Sequence, residues 1–163
     1  MTNPITIRDL YISEGHDFKG RFGMDPLRHE TPRVEKVECV AGKGIVGDRF
    51  FGYRDDFKGQ ITFIAQKTIE DIRARLGRAD LESRLFRRNV VIDGVDLNAL
   101  IGKEFRIGDV SFFGSEECSP CFWMDQVIDE GTMNLMKGRG GLRCRILESG
   151  TLTVGAALLE LLD

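Results

Sequence analysis

Two cysteines three residues apart, Cys118 and Cys121 in the stretch "GSEECSPCFWMDQ", are the side chains best placed to do chemistry. They stand between two acids, Glu116 and Glu117, and the only tryptophan, Trp123. The spacing admits three chemistries. A zinc half-site needs a second pair of ligands at similar spacing. Cys39 and Cys144 are isolated, and neither His16 nor His29 lies in an HxxxH or CxxH arrangement, so no zinc is expected, although a site drawn from all four cysteines stays open. A redox pair works best with its first cysteine at a helix N-terminus, whose dipole stabilises the thiolate; here the flanking sequence is strand-like. The third chemistry is a single thiolate serving as nucleophile or metal ligand. Nearby carboxylates raise a thiol pKa and converging arginines lower it. Cys121 lies further from the acids than Cys118 and follows Pro120, so it is the thiol expected to work. Cys144 alternates with Ile146, and Cys39 sits near Val37 and Val40, which reads both as small core residues. The two histidines read as surface or packing residues.

Arginine and glycine supply the second set of candidates. "GKGIVGD" (42–48) superficially resembles a dinucleotide fingerprint, but strand-like sequence follows it instead of the helix that would seat a pyrophosphate, so a tight turn between strands is the better reading. "GRGGLR" (138–143) lacks a Walker lysine and is no P-loop; it is a loop carrying Arg139 and Arg143, where bare backbone amides suit an anion. In "FRRNVVI" a strand period of two would place Arg87, Asn89 and Val91 on one face. An arginine fork beside an amide matches a phosphate or a polar heterocycle. In "LRCRIL" the same period gives Arg143 and Arg145 one face and Cys144 and Ile146 the other. Each of these arginines could equally be a solvated cation at a strand end.

These side chains need a scaffold, and 163 residues suffice for one domain, 1–163, that buries a core without staples. The net charge of −3 argues against broad nucleic-acid or acidic-membrane binding. No secretory signal and no run near the ~20 apolar residues of a membrane span is read, so a reduced, cytoplasmic protein is expected. Short strands recur: 5–12, 33–40, 60–65, 89–93, 104–114, 142–150 and 151–161. One segment, "QKTIEDIRARLG", has helical spacing, with Thr68 as N-cap, acids in the first turn and Gly77 beyond the end. Residues 13–32 carry both histidines, three glycines and two prolines and read as irregular loop, leaving a core over about 33–160. The fold class is therefore mainly β with a few helices (α+β), a barrel or sandwich with helical insertions.

Taken in order, "GKGIVGDRFFG", "FRRNVVIDGVDLNALIGKEFRIGD", "CSPC" and "GRGGLRCRILESGTLTVG" resemble the MOSC domain family, the module at the C-terminus of molybdenum-cofactor sulfurases. The likeness runs over about residues 5–160, closest to the small stand-alone bacterial type. It implies a MOSC-type β-barrel, similar to the pyruvate-kinase β-barrel domain, that binds molybdenum cofactor (molybdopterin) or carries sulfur. It further implies that Cys121, second in the C-x-x-C segment, ligates molybdenum, and that Arg87 and Asn89 hold the pterin phosphate region. Ser119 and Pro120 would touch the cofactor, with Arg139 and Arg143 as further contacts. The family's usual aspartate after the last "VG" is Ala156 here. Neither the extra N-terminal β domain of the amidoxime-reducing members nor the pyridoxal-phosphate desulfurase domain of the sulfurases is read in these residues.

Two functions follow from the resemblance. In one, the Cys121 thiolate holds a molybdenum cofactor for oxo-transfer that reduces N-hydroxylated substrates, with electrons from a donor protein. In the other, Cys121 carries a persulfide received from a cysteine desulfurase. A non-catalytic module for an anionic ligand is a third reading. No nucleic-acid or membrane partner is expected, and the sequence does not specify an oligomer.

Overall fold

The computed structural model describes residues 2–15, 31–120 and 123–162. Its architecture is set by the first strand, β1 (Thr2–Tyr11), which pairs on one side with β6 (Val90–Asp93) and on the other with the last strand, β11 (Gly155–Leu162). Ile5 and Ile7 point inward. A register shift against β6 between Ile7 and Asp9 then turns Leu10 inward as well. The core thus reaches back to β1, ahead of the 33–160 span expected from the sequence.

Between these strands lie β2 (Arg33–Val34), β3 (Lys36–Val40), β4 (Gly44–Ile45), β5 (Ile61–Ala65), α1 (Gln66–Leu76), and, after β6, β7 (Glu104–Ile107) and β8 (Val110–Glu117). Two short helices follow, α2 (Trp123–Val127) and α3 (Thr132–Leu135), then β9 (Leu142–Glu148) and β10 (Gly150–Thr153). The circuit β1-β6-β5-β9-β8-β7-β11 returns to β1 and closes a seven-stranded barrel, with β2 added at one margin. Strands β10, β3 and β4 form a separate small sheet. The fold is mainly β, as the sequence implies, and among the described residues no helix is long and apolar enough to cross a membrane.

The interior is filled by the inward residues of each strand, with Phe63, Phe105 and Phe112 in mutual contact at 5.2–6.1 Å between ring centroids. Cys39 and Cys144 lie in this core, as their alternation with apolar neighbours predicts. A second apolar layer sits outside the wall. Ile64 and Val91 alternate with the inward Phe63 and Val90 and meet Ile69 and Ile72 of α1, Phe86 and Met124. The parallel pair β5–β6 is therefore covered on both faces, which is why "VVI" is an unbroken apolar run and "ITFIA" is interrupted only by the half-buried Thr62.

Helix α1 starts three residues earlier than a Thr68 cap requires. Ala65 is its N-cap, without a side-chain hydrogen bond, the first turn holds no acid, and Thr68 is buried within the helix. Strand β5 runs straight into the helix, and packing of Ile69 and Ile72 on Ile64 overrides capping chemistry. Its end agrees with expectation: Gly77 adopts φ 65° and donates to Ala74 O. "GKGIVGD" forms turns around the two-residue β4, with no helix behind it.

Candidate functional site

In β9 the side chains alternate as the sequence suggests: Leu142, Cys144 and Ile146 go into the barrel, and Arg143 and Arg145 go out. Arg143 is in register with Thr62 of β5 and Glu116 of β8. This row floors a cleft of about 320 Å³ on the outer wall, also lined by Arg49, Phe57, Gly59, Arg87, Arg88, Glu117, Cys118 and Ser119. Four arginines against two glutamates give the lining an excess of cation, and the volume falls at the low end for small-molecule sites.

Arg87 does not belong to a strand. It follows the 3-10 turn Ser83–Phe86 in a left-handed conformation, φ 59°, and the strand begins only at Val90. Strand alternation therefore does not carry over to it. Its Nη1 donates to Thr31 Oγ1 at 2.8 Å, and Nη2 donates to Gly15 O at 3.3 Å and Ser13 Oγ at 3.4 Å. Asn89 is buried and internally engaged. Its Oδ1 accepts from the Thr62 N–H (3.0 Å) and hydroxyl (3.1 Å), its own N–H donates to Thr62 Oγ1 (3.0 Å), and Nδ2 donates to Tyr11 O (3.2 Å). It clips β1, β5 and β6 together where the parallel ladder begins.

Arg88, which sequence periodicity assigns to the opposite face from Arg87, ties down the cysteine segment. It is buried, and donates to Gly140 O at 2.9 Å, Phe86 O at 2.8 Å and Cys118 O at 3.4 Å. The Cys118 N–H donates to Gly141 O at 2.7 Å, and the Gly140 N–H donates to Glu117 Oε2 at 3.4 Å. A Cβ on Gly140 would lie 2.1 Å from Cys118 O and 2.8 Å from Pro120 Cδ, so this approach requires glycine. The "GRGG" loop is thus a buttress for the C-x-x-C segment.

Arg143 lies over the Phe57 ring, 5.3 Å from its centroid, with Nη1 3.5 Å from Glu116 Oε2; Lys58 Nζ reaches the other oxygen of Glu116 at 3.3 Å. Arg49 lies 4.8 Å over Phe50. Arg139 goes elsewhere. Its Nη2 pairs with Asp71 at 2.6 Å and its Nε donates to Leu135 O, in a separate cavity of about 790 Å³ beside α1. The structure thus gathers Arg87, Ser119 and Arg143 around Cys118, turns half-buried Pro120 toward Gly140 outside the cleft's lining, and leaves Arg139 out.

Cys121, His16 and His29 lie outside the described residues, as does most of the 13–32 loop. Of the other thiols, burial pushes Cys39 up to about 12 and Cys144 well above the usual range, so neither is a nucleophile. Among the described residues no cluster of three or more His, Cys, Asp or Glu side chains could hold a metal. Arg49, Phe57, Gly59 and Arg88 are not singled out by sequence reasoning. The run "DRFFGYRDDFKG" does alternate arginine with aromatic rings, the composition from which cation–π contacts are built.

A family model described as MOSC domain matches residues 41–158. Among solved structures, the YuaD protein from Bacillus subtilis aligns over 100% of this chain and 99% of its own at TM-score 0.78 and 19% identity. YiiM from Escherichia coli aligns over 100% of this chain and 70% of its own (TM-score 0.66, 19% identity). YiiM from Geobacillus stearothermophilus aligns over 98% and 76% (TM-score 0.71, 17% identity). At such identities the likeness is one of fold. No curated protein matches the chain.

Proposed function

The chain belongs to the MOSC domain family, and from that premise we propose that its arginine-lined cleft binds the phosphate-bearing part of a molybdopterin cofactor, with the Cys121 thiolate as the metal ligand. The observation that carries the reading is the convergence of Arg49, Arg87 and Arg143 on the cleft that holds Cys118 and Ser119. The donor set fits the group. Guanidinium forks suit phosphate oxygens, and a soft thiolate suits molybdenum. When bound, such a cofactor supplies oxo-transfer chemistry, the kind that reduces N-hydroxylated substrates with electrons from a donor protein.

In this reading Arg87 and Arg143 anchor the anion, while Arg88 and Gly140 hold the cysteine segment against the barrel. Asn89 contributes by fixing the strand that Arg87 precedes, since its amide is committed to Thr62 and Tyr11. Glu116 orients Arg143.

The test is reconstitution with molybdopterin cofactor followed by gel filtration and molybdenum analysis. Cys121→Ser is expected to abolish retention and Cys118→Ser to keep most of it. Equal loss from both variants would point to a redox pair or a shared metal and overturn the assignment. Persulfide on Cys121 without molybdenum retention would replace it with sulfur carriage.

A further inference from the structure

Asp48, in the loop between β4 and β5, has a fully buried carboxylate. A buried charge is costly unless the protein supplies its partners, and the partners of Asp48 lead into the cleft. Oδ1 accepts from the Ser13 N–H at 2.9 Å and lies 3.5 Å from Arg49 Nη1, and Oδ2 accepts from the Phe50 N–H at 3.4 Å. The Arg49 N–H donates in turn to Ser13 O at 2.7 Å. Both backbone groups of Ser13 are thus latched to residues 48 and 49.

Ser13 is itself buried, and its hydroxyl meets Arg87. Arg87 Nη2 donates to Ser13 Oγ at 3.4 Å and to Gly15 O at 3.3 Å, and the same Gly15 O accepts from the Ser13 hydroxyl at 3.4 Å. Residues 13–15 therefore form a spacer between the Asp48 carboxylate and one cleft cation. On the other side, Arg49 lies over the Phe50 ring, which packs on Phe57. One carboxylate thus stands behind Arg49 and Arg87, two cations from distant parts of the chain, while staying out of the cleft's lining.

We propose that Asp48 is a positioning residue of the cleft, holding Arg49 directly and Arg87 through Ser13 so that both guanidiniums face one anion. The inference rests on the reading of the cleft as an anion site. Its sign separates it from a simple charge effect. A bare carboxylate this near would repel the anion, so removing its charge would tighten binding. A carboxylate that positions the cations gives the opposite result. Asparagine keeps the size and one acceptor, but its amide turns donors toward the Phe50 N–H or toward Ser13 and Arg49, which are donors too.

The experiment is a double-mutant cycle on the full chain, with inorganic phosphate as probe. It is read by calorimetry well below each variant's unfolding transition, and by NMR hydrogen exchange at the buried Arg87 Nε–H. Asp48→Asn is expected to weaken phosphate binding about tenfold, comparable to Arg87→Gln, and to speed the Nε–H exchange. In the Arg87→Gln background the same change should cost only about threefold, the share carried by Arg49. Ser13→Ala keeps the backbone latch and removes the hydroxyl, so it should weaken binding about threefold alone and not at all beside Arg87→Gln. Wild-type or tighter phosphate binding by Asp48→Asn while Arg87→Gln is impaired would overturn the role of Asp48, as would an equal loss in both backgrounds. If Asp48→Asn does not fold, full affinity in Ser13→Ala would overturn it. Full affinity in Arg87→Gln would instead overturn the anion-site reading beneath it.

Discussion

Replacing Asn89 by alanine separates two roles that the sequence leaves merged. If Asn89 touched ligand, the variant would bind weakly and fold normally. The structure has Oδ1 accepting two hydrogen bonds from Thr62 and Nδ2 donating one to Tyr11. Alanine leaves the Thr62 N–H and the Tyr11 carbonyl without these partners, at positions where the strand ladder offers no substitute. Each orphaned buried group costs about 1–3 kcal/mol. Thr62 is only half-buried, so water recovers part of its share, and the expected loss is about 2–4 kcal/mol. An unfolding entropy of roughly 2.1 cal/mol/K per residue, applied to 163 residues, makes 1 kcal/mol worth about 3 °C. Asn89→Ala should therefore lower Tm by about 6–12 °C, measured by circular dichroism, while phosphate affinity measured well below the transition stays within about twofold of wild type. A Tm within about 1 °C of wild type together with a tenfold loss of phosphate affinity would refute the structural role and return Asn89 to the binding surface.

Other perturbations probe the same scaffold. Native alkylation at pH 8 should leave Cys39 and Cys144 unmodified by peptide mass spectrometry, because a thiol near 12 is thiolate only about once in ten thousand molecules at that pH; label on either in the folded protein would contradict their burial. As both pKa values are raised, stability should be complete below the unfolded thiol's ~8.5 and decline as pH climbs toward 12, where only the unfolded chain has released the proton. Gly140→Ala forces a Cβ to 2.1 Å from Cys118 O and should cost about 1–3 kcal/mol and loosen cofactor retention; an unchanged Tm with unchanged retention would rule out the buttress. Arg88→Met keeps the volume but abandons the carbonyls of Gly140, Phe86 and Cys118, so a loss of about 2 kcal/mol is expected, with faster amide exchange confined to the segments near 118 and 140.

Much of the fold is legible because strand alternation is a local property. Ile5 and Ile7, Val37 and Cys39, Cys144 and Ile146 all point where their period says. Even the doubly covered pair β5–β6 announces itself as nearly continuous apolar sequence, interrupted only by Thr62. The misreadings occur where local rules meet a junction. Strand alternation does not extend through "FRRN": the chain there is leaving a 3-10 turn through a left-handed residue, so Arg87 and Asn89 reach different surroundings. Thr68 has the chemistry of a cap, yet strand and helix are contiguous and leave no turn for it to close. The cleft was half visible. Arg87, Ser119 and Arg143 are recognisable donors, whereas Phe57 is a ring like any other until the fold brings the Arg143 guanidinium over it at 5.3 Å. Arg139, the same residue type four positions before Arg143, answers instead to Asp71 on α1.

The closing of the barrel by its first and last strands also governs when the molecule can form. Thr2 sits opposite Glu160 and Ile7 opposite Gly155, so the wall stays open until the ribosome has released the end of β11. Until then β1 offers an unsatisfied margin along Thr2–Ile7, a template on which another chain could pair. The same contacts span nearly the full sequence, which slows the search for them. They also bring Thr2 and Glu160 side by side. A short linker joining the paired ends of β11 and β1, with the order of the strands reopened at an exposed turn such as Asp109, should give a barrel whose closing seam is made earlier in synthesis, with the cleft unaltered.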